Sequence, residues 1–362
     1  MPQKPKVTIK DVANRAGCGV ATASRVLNNS GPASGDVRAR VEQAARDLGF
    51  SFSALGRALQ SNRTMTIGCL VPSLANPVFA EAVQGVQEAL AGSGYQLLIA
   101  SSNYDAAADD EALTTLISKG VDGLLATLVA PKDTPALNLA RARGIPLSLM
   151  FHDPIPGFIT AYVDNEAAAR EVARQFAMRG HRRTGFLALK LASSDRSRNR
   201  YAGFRVECQS LGMADPVLIE LTEAEARQPE RLAALLHAHA DLTAIFASND
   251  FLAIAVQKAA RLLGWRVPHD LSVVGFDGIE IGRLLDVPLA TIETAPEAMG
   301  RQAARTLLDL MQGGVLVQPP PLPSDFRAGA TLAAPRTEDL DDDRVAARPP
   351  SVPSLKTDLK QG

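Results

Sequence analysis

From Thr66 onward the chain repeats one unit: a largely apolar run of four to six residues, a break, then a longer stretch with apolar residues at helical spacing. Runs this short and without polar alternation fit strands covered on both faces, the setting of a parallel sheet. Thr66-Ile67-Gly68-Cys69-Leu70-Val71, Gln96-Leu97-Leu98-Ile99-Ala100, Gly123-Leu124-Leu125-Ala126 and Leu147-Ser148-Leu149-Met150 form a first series, with helices predicted near 77 to 92, 106 to 119 and 134 to 143. A second series predicts strands near 184 to 189, 217 to 221, 243 to 247 and 271 to 276, with helices near 165 to 179, 199 to 212, 228 to 239 and 250 to 264. Two successive series predict two doubly wound lobes. Ligands of such sheets sit outside the carboxyl ends of the strands, here in a cleft between the lobes.

The first 63 residues obey a different period. Thr8 precedes Ile9, Val12, Ala13 and Ala16, an apolar stripe of one short helix, and Asp11 stands three residues after Thr8 as in a capping box. Gly17 closes that helix, and a second runs from Gly19 or Val20 to Asn28 with Ala23, Val26 and Leu27 inward. After an Asn29-Ser30-Gly31-Pro32 loop, Ser34 is placed to cap a third helix carrying Val37, Val41, Ala44, Ala45 and Leu48. Three short helices with a tight first turn describe a helix-turn-helix domain.

Charge supports that division. The full chain of 362 residues has a formal charge of -1. Residues 1 to 63 hold ten basic side chains (Lys4, Lys6, Lys10, Arg15, Arg25, Arg38, Arg40, Arg46, Arg57, Arg63) against four acidic ones (Asp11, Asp36, Glu42, Asp47), so the head carries +6 and the remainder -7. A basic head on an acidic body fits a polyanion-binding module joined to a separate domain. On the second helix, Val20, Ala21, Thr22, Ser24, Arg25 and Asn28 stay outside the core. Small residues at its start admit the helix end to a major groove, where Arg25 reaches guanine N7 and O6 bidentately and Val20 and Ala21 meet thymine methyls. Thr22, Ser24 and Asn28 suit phosphate oxygens. Gly17-Cys18-Gly19 follows a helix rather than a strand and lacks a third glycine, so a nucleotide-binding loop is set aside.

Cys18, Cys69 and Cys208 are three thiols in no CxxC or Cys/His spacing, which predicts a reducing compartment and no structural metal. The basic N-terminus lacks an apolar stretch behind it, and no run of 18 apolar residues occurs, so a cytoplasmic protein without a membrane span is expected.

Thr8-Ile9-Lys10-Asp11-Val12-Ala13, then Ala16-Gly17, Thr22-Ala23-Ser24-Arg25-Val26-Leu27-Asn28 and Arg40-Val41, resembles the DNA-binding head of the LacI/GalR family of repressors. Cys18-Gly19 replaces the family's usual Val-Ser, removing a hydroxyl that caps the helix and contacts phosphate. The resemblance implies DNA contacts by Thr8, Val20, Ala21, Thr22, Ser24, Arg25 and Asn28. It also implies a hinge over 52 to 63 that becomes helical only on operator DNA, with Leu59 wedged into the minor groove and Arg57 near the backbone. Ala54, Leu55, Ala58 and Leu59 fit a stretch too short to be helical alone. Phe52 and Gly56 replace the family's Pro and Ala, and Gly in a helix costs up to ~1 kcal/mol relative to Ala. A plain linker is the alternative.

Over residues 7 to 333 the resemblance extends to a core like a periplasmic sugar-binding protein. The expected fold is an all-α helix-turn-helix head, residues 1 to 51, plus an α/β periplasmic-binding-protein-like core of two doubly wound lobes, residues 64 to 335. Carried over residue by residue, the implied effector contacts are Phe79, Asp164, Arg196, Phe246, Asn249 and Asp277. Carboxylates accept from sugar hydroxyls, Arg and Asn donate, and an aromatic face covers a ring; Arg also suits a carboxylate ligand. Asp164 and Asp277 have helix or turn capping as an alternative, and Phe246 a place in the core. His181 reads as a surface turn rather than a catalytic base, and Trp265 as a core residue.

Residues 72 to 86 and 281 to 300 look most like gluconate-type repressors, which favours a sugar acid over a neutral sugar or nucleobase. The implied partners are operator double-stranded DNA, that effector, and a second copy in a homodimer, with no membrane, metal or cofactor. Residues 336 to 362, acidic and then Pro-rich, read as a disordered tail without a tetramerising leucine heptad. A solute-binding protein would need an export signal and no head, and an α/β enzyme would need a nucleophile-base motif.

Overall fold

The computed structural model describes residues 7–28, 31–50, 63–131, 134–315 and 317–336. The chain divides into two units between Met65 and Thr66. The hinge residues Arg57 and Leu59, and the tail from 337, lie outside the described residues.

Three helices form the first unit: α1 (Ile9–Ala16), α2 (Val20–Leu27) and α3 (Gly35–Leu48). Asp11 starts α1 by accepting from the Thr8 N–H at 2.8 Å and the Thr8 hydroxyl at 2.7 Å. Those bonds hold the Asp11 carboxyl below its ordinary pKa. Gly17 ends α1 at φ 63°, a left-handed conformation that costs glycine little, and so sets the sharp turn into α2. Val12, Ala13, Ala16, Ala23, Val26, Val41, Ala44 and Ala45 make the core. Ser34 occupies the N-cap position of α3, but its side chain makes no cap hydrogen bond, which corrects the capping role expected of it.

In the second unit, β1 (Thr66–Val71), α4 (Pro77–Leu90), β2 (Gln96–Ser101), α5 (Ala106–Ser118), β3 (Gly123–Ala126), α6 (Pro135–Ala142), β4 (Leu147–Met150) and β5 (Ile159–Ala161) come first. They build a wholly parallel sheet of order β2-β1-β3-β4-β5. There follow α7 (Asn165–Met178), β6 (Thr184–Leu189), α8 (Asp195–Ser210), β7 (Val217–Leu221), α9 (Glu223–Ala226), α10 (Pro229–Ala238), β8 (Ala244–Ala247), α11 (Asp250–Leu262), β9 (Ser272–Asp277), β10 (Ala290–Glu293), α12 (Pro296–Met311) and β11 (Asp325–Arg327). The second sheet has the order β11-β10-β9-β8-β6-β7 and is parallel except for β10 with β11.

The lobes are not simply consecutive. After β10 the chain returns to the first lobe, where α12 packs along α4, and then crosses back to supply β11 to the second sheet. Glycines permit that close helix pairing: a Cβ on Gly85 would strike the Glu297 carbonyl, and one on Gly300 the Ala82 carbonyl. Two crossing segments touch, with Val163 bridged to Leu322 and the Leu322 N–H donating to the Tyr162 carbonyl at 2.7 Å. Among the described residues no helix is long and apolar enough to cross a membrane, and no group of three or more His, Cys, Asp or Glu could hold a metal ion.

Candidate functional site

Each parallel strand ends where its backbone must turn into a helix, so side chains just past the strand ends face a common cleft. From the first lobe, Asn76 caps α4, accepting from the Val78 N–H at 3.3 Å, and Phe79 lies one turn further. Phe79 sets its edge against Phe151 (centroids 5.1 Å) and Tyr104 (6.3 Å), which makes an aromatic wall. From the second lobe come Lys190 after β6, Arg196 and Arg200 on α8, Glu223 after β7, Asn249 at the start of α11, and Asp277 at the end of β9. Together these line a cavity of about 230 Å³.

Four cavity residues without the freedom of glycine hold positive φ: Asn103 at 52°, Tyr104 at 59°, Phe151 at 69° and Asp277 at 113°. Such conformations cost on the order of 1–3 kcal/mol each and persist where the surroundings enforce them, commonly at ligand sites.

Asp277 and Arg200 form the buried charge pair of the cavity at 3.8 Å. Burial pushes the Asp277 carboxyl up to about 7, against the pull of Arg200 and with help from nearby Asp250. Burial also lowers Arg200 to about 10, partly offset by Asp277. Arg200 is fixed on every side. Its Nε donates to Asn165 at 2.8 Å, NH1 to the Ser248 carbonyl at 2.5 Å, and the guanidinium stacks 3.4 Å above the Phe276 ring. Asp250, buried beneath, accepts from the Gly278 and Ile279 N–H groups at 2.8 Å and the Thr291 hydroxyl at 2.6 Å, thereby pinning the turn that aims Asp277.

Of the six effector contacts inferred from sequence, Phe79, Arg196, Asn249 and Asp277 line this one cavity. Asn249 also caps α11, accepting from the Leu252 N–H at 2.9 Å. Two require correction. Asp164 is exposed and caps α7, accepting from the Ala167 N–H at 2.9 Å, outside the cavity lining. Phe246 is fully buried inside β8 among Phe186, Phe204 and Phe276, because it stands short of the strand end where Ser248 and Asn249 emerge. His181 is no surface turn either. It is 1% exposed, held by the Thr243 hydroxyl at 2.9 Å and the Ala333 carbonyl at 2.8 Å, and burial lowers its pKa. Arg200, Tyr104 and Phe151 are the additions that sequence reading missed. Arg200 had a signal: it lies four residues after Arg196 and shares its helical face once α8 begins at Asp195.

In the head, Thr8, Val20, Ala21 and Arg25 are exposed, while Thr22, Ser24 and Asn28 are half-buried. Arg25 lies back along α2, its Nε 3.4 Å from the Ala21 carbonyl and NH2 3.5 Å from the Thr22 hydroxyl. Asn28 donates to Ser24 at 3.3 Å. Val20, Ala21 and Arg25 are thus the exposed α2 residues among those expected to meet DNA, with Arg25 carrying the charge.

Comparison with known proteins bears on both units. Residues 8–52 match the family described as bacterial regulatory proteins, lacI family, and residues 173–329 match a periplasmic binding protein-like domain. The HTH-type transcriptional repressor CytR of Escherichia coli (strain K12) is 31% identical over 318 residues, 86% of this chain and 92% of CytR. The chain belongs to the LacI family. Another LacI-type relative, the HTH-type transcriptional regulator GntR of the same strain, is 29% identical over 314 residues, 86% of this chain and 94% of GntR. The crystal structure of the lac repressor dimer bound to operator and the anti-inducer ONPF superposes with a TM-score of 0.81 at 25% identity, covering 91% of this chain and all of that one. This LacI-family chain is thus a DNA-binding transcriptional regulator with an effector-binding core.

Proposed function

We propose that this regulator binds a pseudo-palindromic operator as a homodimer, and that a sugar acid in the cleft sets its affinity for that operator. The ligand class rests on the cavity's charge. Lys190, Arg196 and Arg200 face Glu223 and Asp277, an excess of one positive charge. Among the described residues only NH1 of Arg196 finds a protein acceptor, which leaves Nε and NH2 as the edge for a bidentate carboxylate. Asp277 and Asn249 serve the hydroxyls, and Phe79 with Phe151 covers the apolar ring face.

In this reading, the head spans residues 1 to 51, the hinge 52 to 63 and the core 64 to 335. Ligand biases the lobe arrangement, and the hinge with Arg57 and Leu59 orders on DNA or melts in response. Thr8, Val20, Ala21, Thr22, Ser24, Arg25 and Asn28 contact the duplex. Melting-temperature shifts with gluconate, glucuronate, glucose and ribose test the ligand class. The acids should raise the melting temperature, and a hit should change retention of an operator fragment selected from random duplexes. Larger shifts from the neutral sugars would sink the sugar-acid reading. Arg25→Ala should weaken specific binding by ~1–3 kcal/mol with nonspecific binding less affected. An unchanged operator preference in competition would remove Arg25 from the base-reading role.

A further inference from the structure

A closed ring of hydrogen bonds joins the two lobes beside the cavity. It begins at Leu128, just past β3 in the first lobe, whose N–H donates to His152 Nε2 at 2.8 Å. That bond selects the tautomer, because a ring nitrogen that accepts carries no proton. The proton is therefore on Nδ1, which donates to Asp195 Oδ2 in the second lobe at 2.6 Å. The other oxygen, Asp195 Oδ1, accepts from the Arg196 backbone N–H at 2.8 Å and from its NH1 at 3.3 Å. The same NH1 donates to the Leu128 carbonyl at 3.4 Å, which returns the ring to its starting residue. Next to it, Asn199 of the second lobe donates to Asp153 of the first.

The ring is built rather than incidental. His152 is fully buried, and Leu128, His152 and Arg196 are all at most 6% exposed. Burial alone would raise the Asp195 carboxyl, while the hydrogen bond from His152 and the charge and backbone N–H of Arg196 pull it down. A neutral imidazole between a peptide N–H and a carboxylate has no free valence for a ligand, so its work is to orient.

We infer that His152 and Asp195 are positioning residues that latch the lobes together and present Arg196 to the cavity. The latch itself needs no ligand. Its consequence for effector binding rests on the cleft reading above, in which Arg196 meets the ligand. A ligand that draws on Arg196 then pulls on a group already tied to the first lobe, so occupancy and lobe closure become one event.

Hydrogen exchange on the full-length, ligand-free chain tests the latch, because a substitution of Asp195 in the second lobe is read at Leu128 in the first, whereas His152→Ala removes the Leu128 acceptor directly. Asp195→Ala should speed exchange of the segment around Leu128 by roughly tenfold, as should His152→Ala, and the double variant should be no faster than either. Asp195→Asn keeps one oxygen for Nδ1–H but turns its NH2 toward the Arg196 donors, so its exchange should fall between that of the unsubstituted chain and Asp195→Ala, which separates graded loss of the latch from general loosening. Nitrogen-15 spectra should show His152 neutral with its proton on Nδ1. Unchanged Leu128 exchange in Asp195→Ala, additive effects in the double variant, or a proton on Nε2 would each overturn the latch. Failure of every sugar acid to bind would leave these readouts untouched and count only against the cleft reading.

Discussion

The two lobes line the cavity with opposite chemistry. The first contributes Phe79, Tyr104 and Phe151 with the neutral amides Asn76 and Asn103; the second contributes Lys190, Arg196, Arg200, Glu223 and Asp277. Both sheets turn strand ends toward the cleft, so topology does not explain the contrast. Burial does. The aromatic wall is continuous with the hydrophobic core, since Phe79 and Phe151 belong to both. The charged wall is held instead by a frame of polar partners, namely Asn165, Ser248 and the Asp250 turn. A ligand would find one wall that is rigid because it is packed, and another that is rigid because it is hydrogen-bonded.

Substitutions that treat the walls differently probe this contrast. Arg200→Ala should have the largest effect, costing ~3–5 kcal/mol of stability by chemical denaturation, because it strands Asp277 without its partner. Arg200→Ala with Asp277→Ala should recover much of that loss. If the double variant were no more stable than the single, the frame rather than the pair would hold the wall. Phe79→Leu on the aromatic side should cost ~1–2 kcal/mol, a core repair problem rather than an unpaired charge. Arg196→Ala should weaken a bound sugar acid by ~10- to 100-fold in calorimetry, with a smaller change in melting temperature than Arg200→Ala.

The smallest effect is one of pH. Asp277, facing Arg200, Asp250, Arg196 and Glu81, has its folded pKa raised to about 7, and burial raises Asp250 to about 6. Between the ordinary carboxylate range and pH 7 the folded chain keeps protons that the unfolded chain has lost, so stability falls as pH rises through that window. Affinity for a sugar acid should fall several-fold between pH 6 and 8 as Asp277 becomes an anion, and Asp277→Asn should flatten the profile. A profile that rises would indicate that the carboxylate of Asp277, not its acid form, meets the ligand.

Much of the fold is legible where strands are continuous apolar runs. The runs predict β1, β3, β4, β6 and β7 at their observed bounds; in β1, β3, β4 and β6 nearly every residue is buried, whereas the edge strand β7 carries the exposed Glu220. The return of the chain to the first lobe is not legible. β5 and β11 are three residues each, and nothing local in Met299, Ala303, Ala304 and Leu307 says which lobe α12 joins. The site is half legible for a related reason. Sequence periodicity starts α8 near 199, because the apolar stripe appears only at Phe204 after Arg196, Arg198, Asn199 and Arg200. Reading those residues as a polar face hides Arg200, which is buried and lines the cavity, and Arg196 is reached only through the family resemblance. Phe246 errs the other way, since an aromatic just before a strand end can face the core or the cleft, and only the register of β8 decides.

The route of α12 bears on how this protein is made. During synthesis, β1 to β5 emerge with the α4 face around Ala82 and Gly85 still bare, and it stays so until residues 296–311 arrive. The ribosome therefore cannot release a finished first lobe before the second has been largely translated. A chain stopped short of Pro296 would expose that face, and β10 would lack the edge partner that β11 supplies.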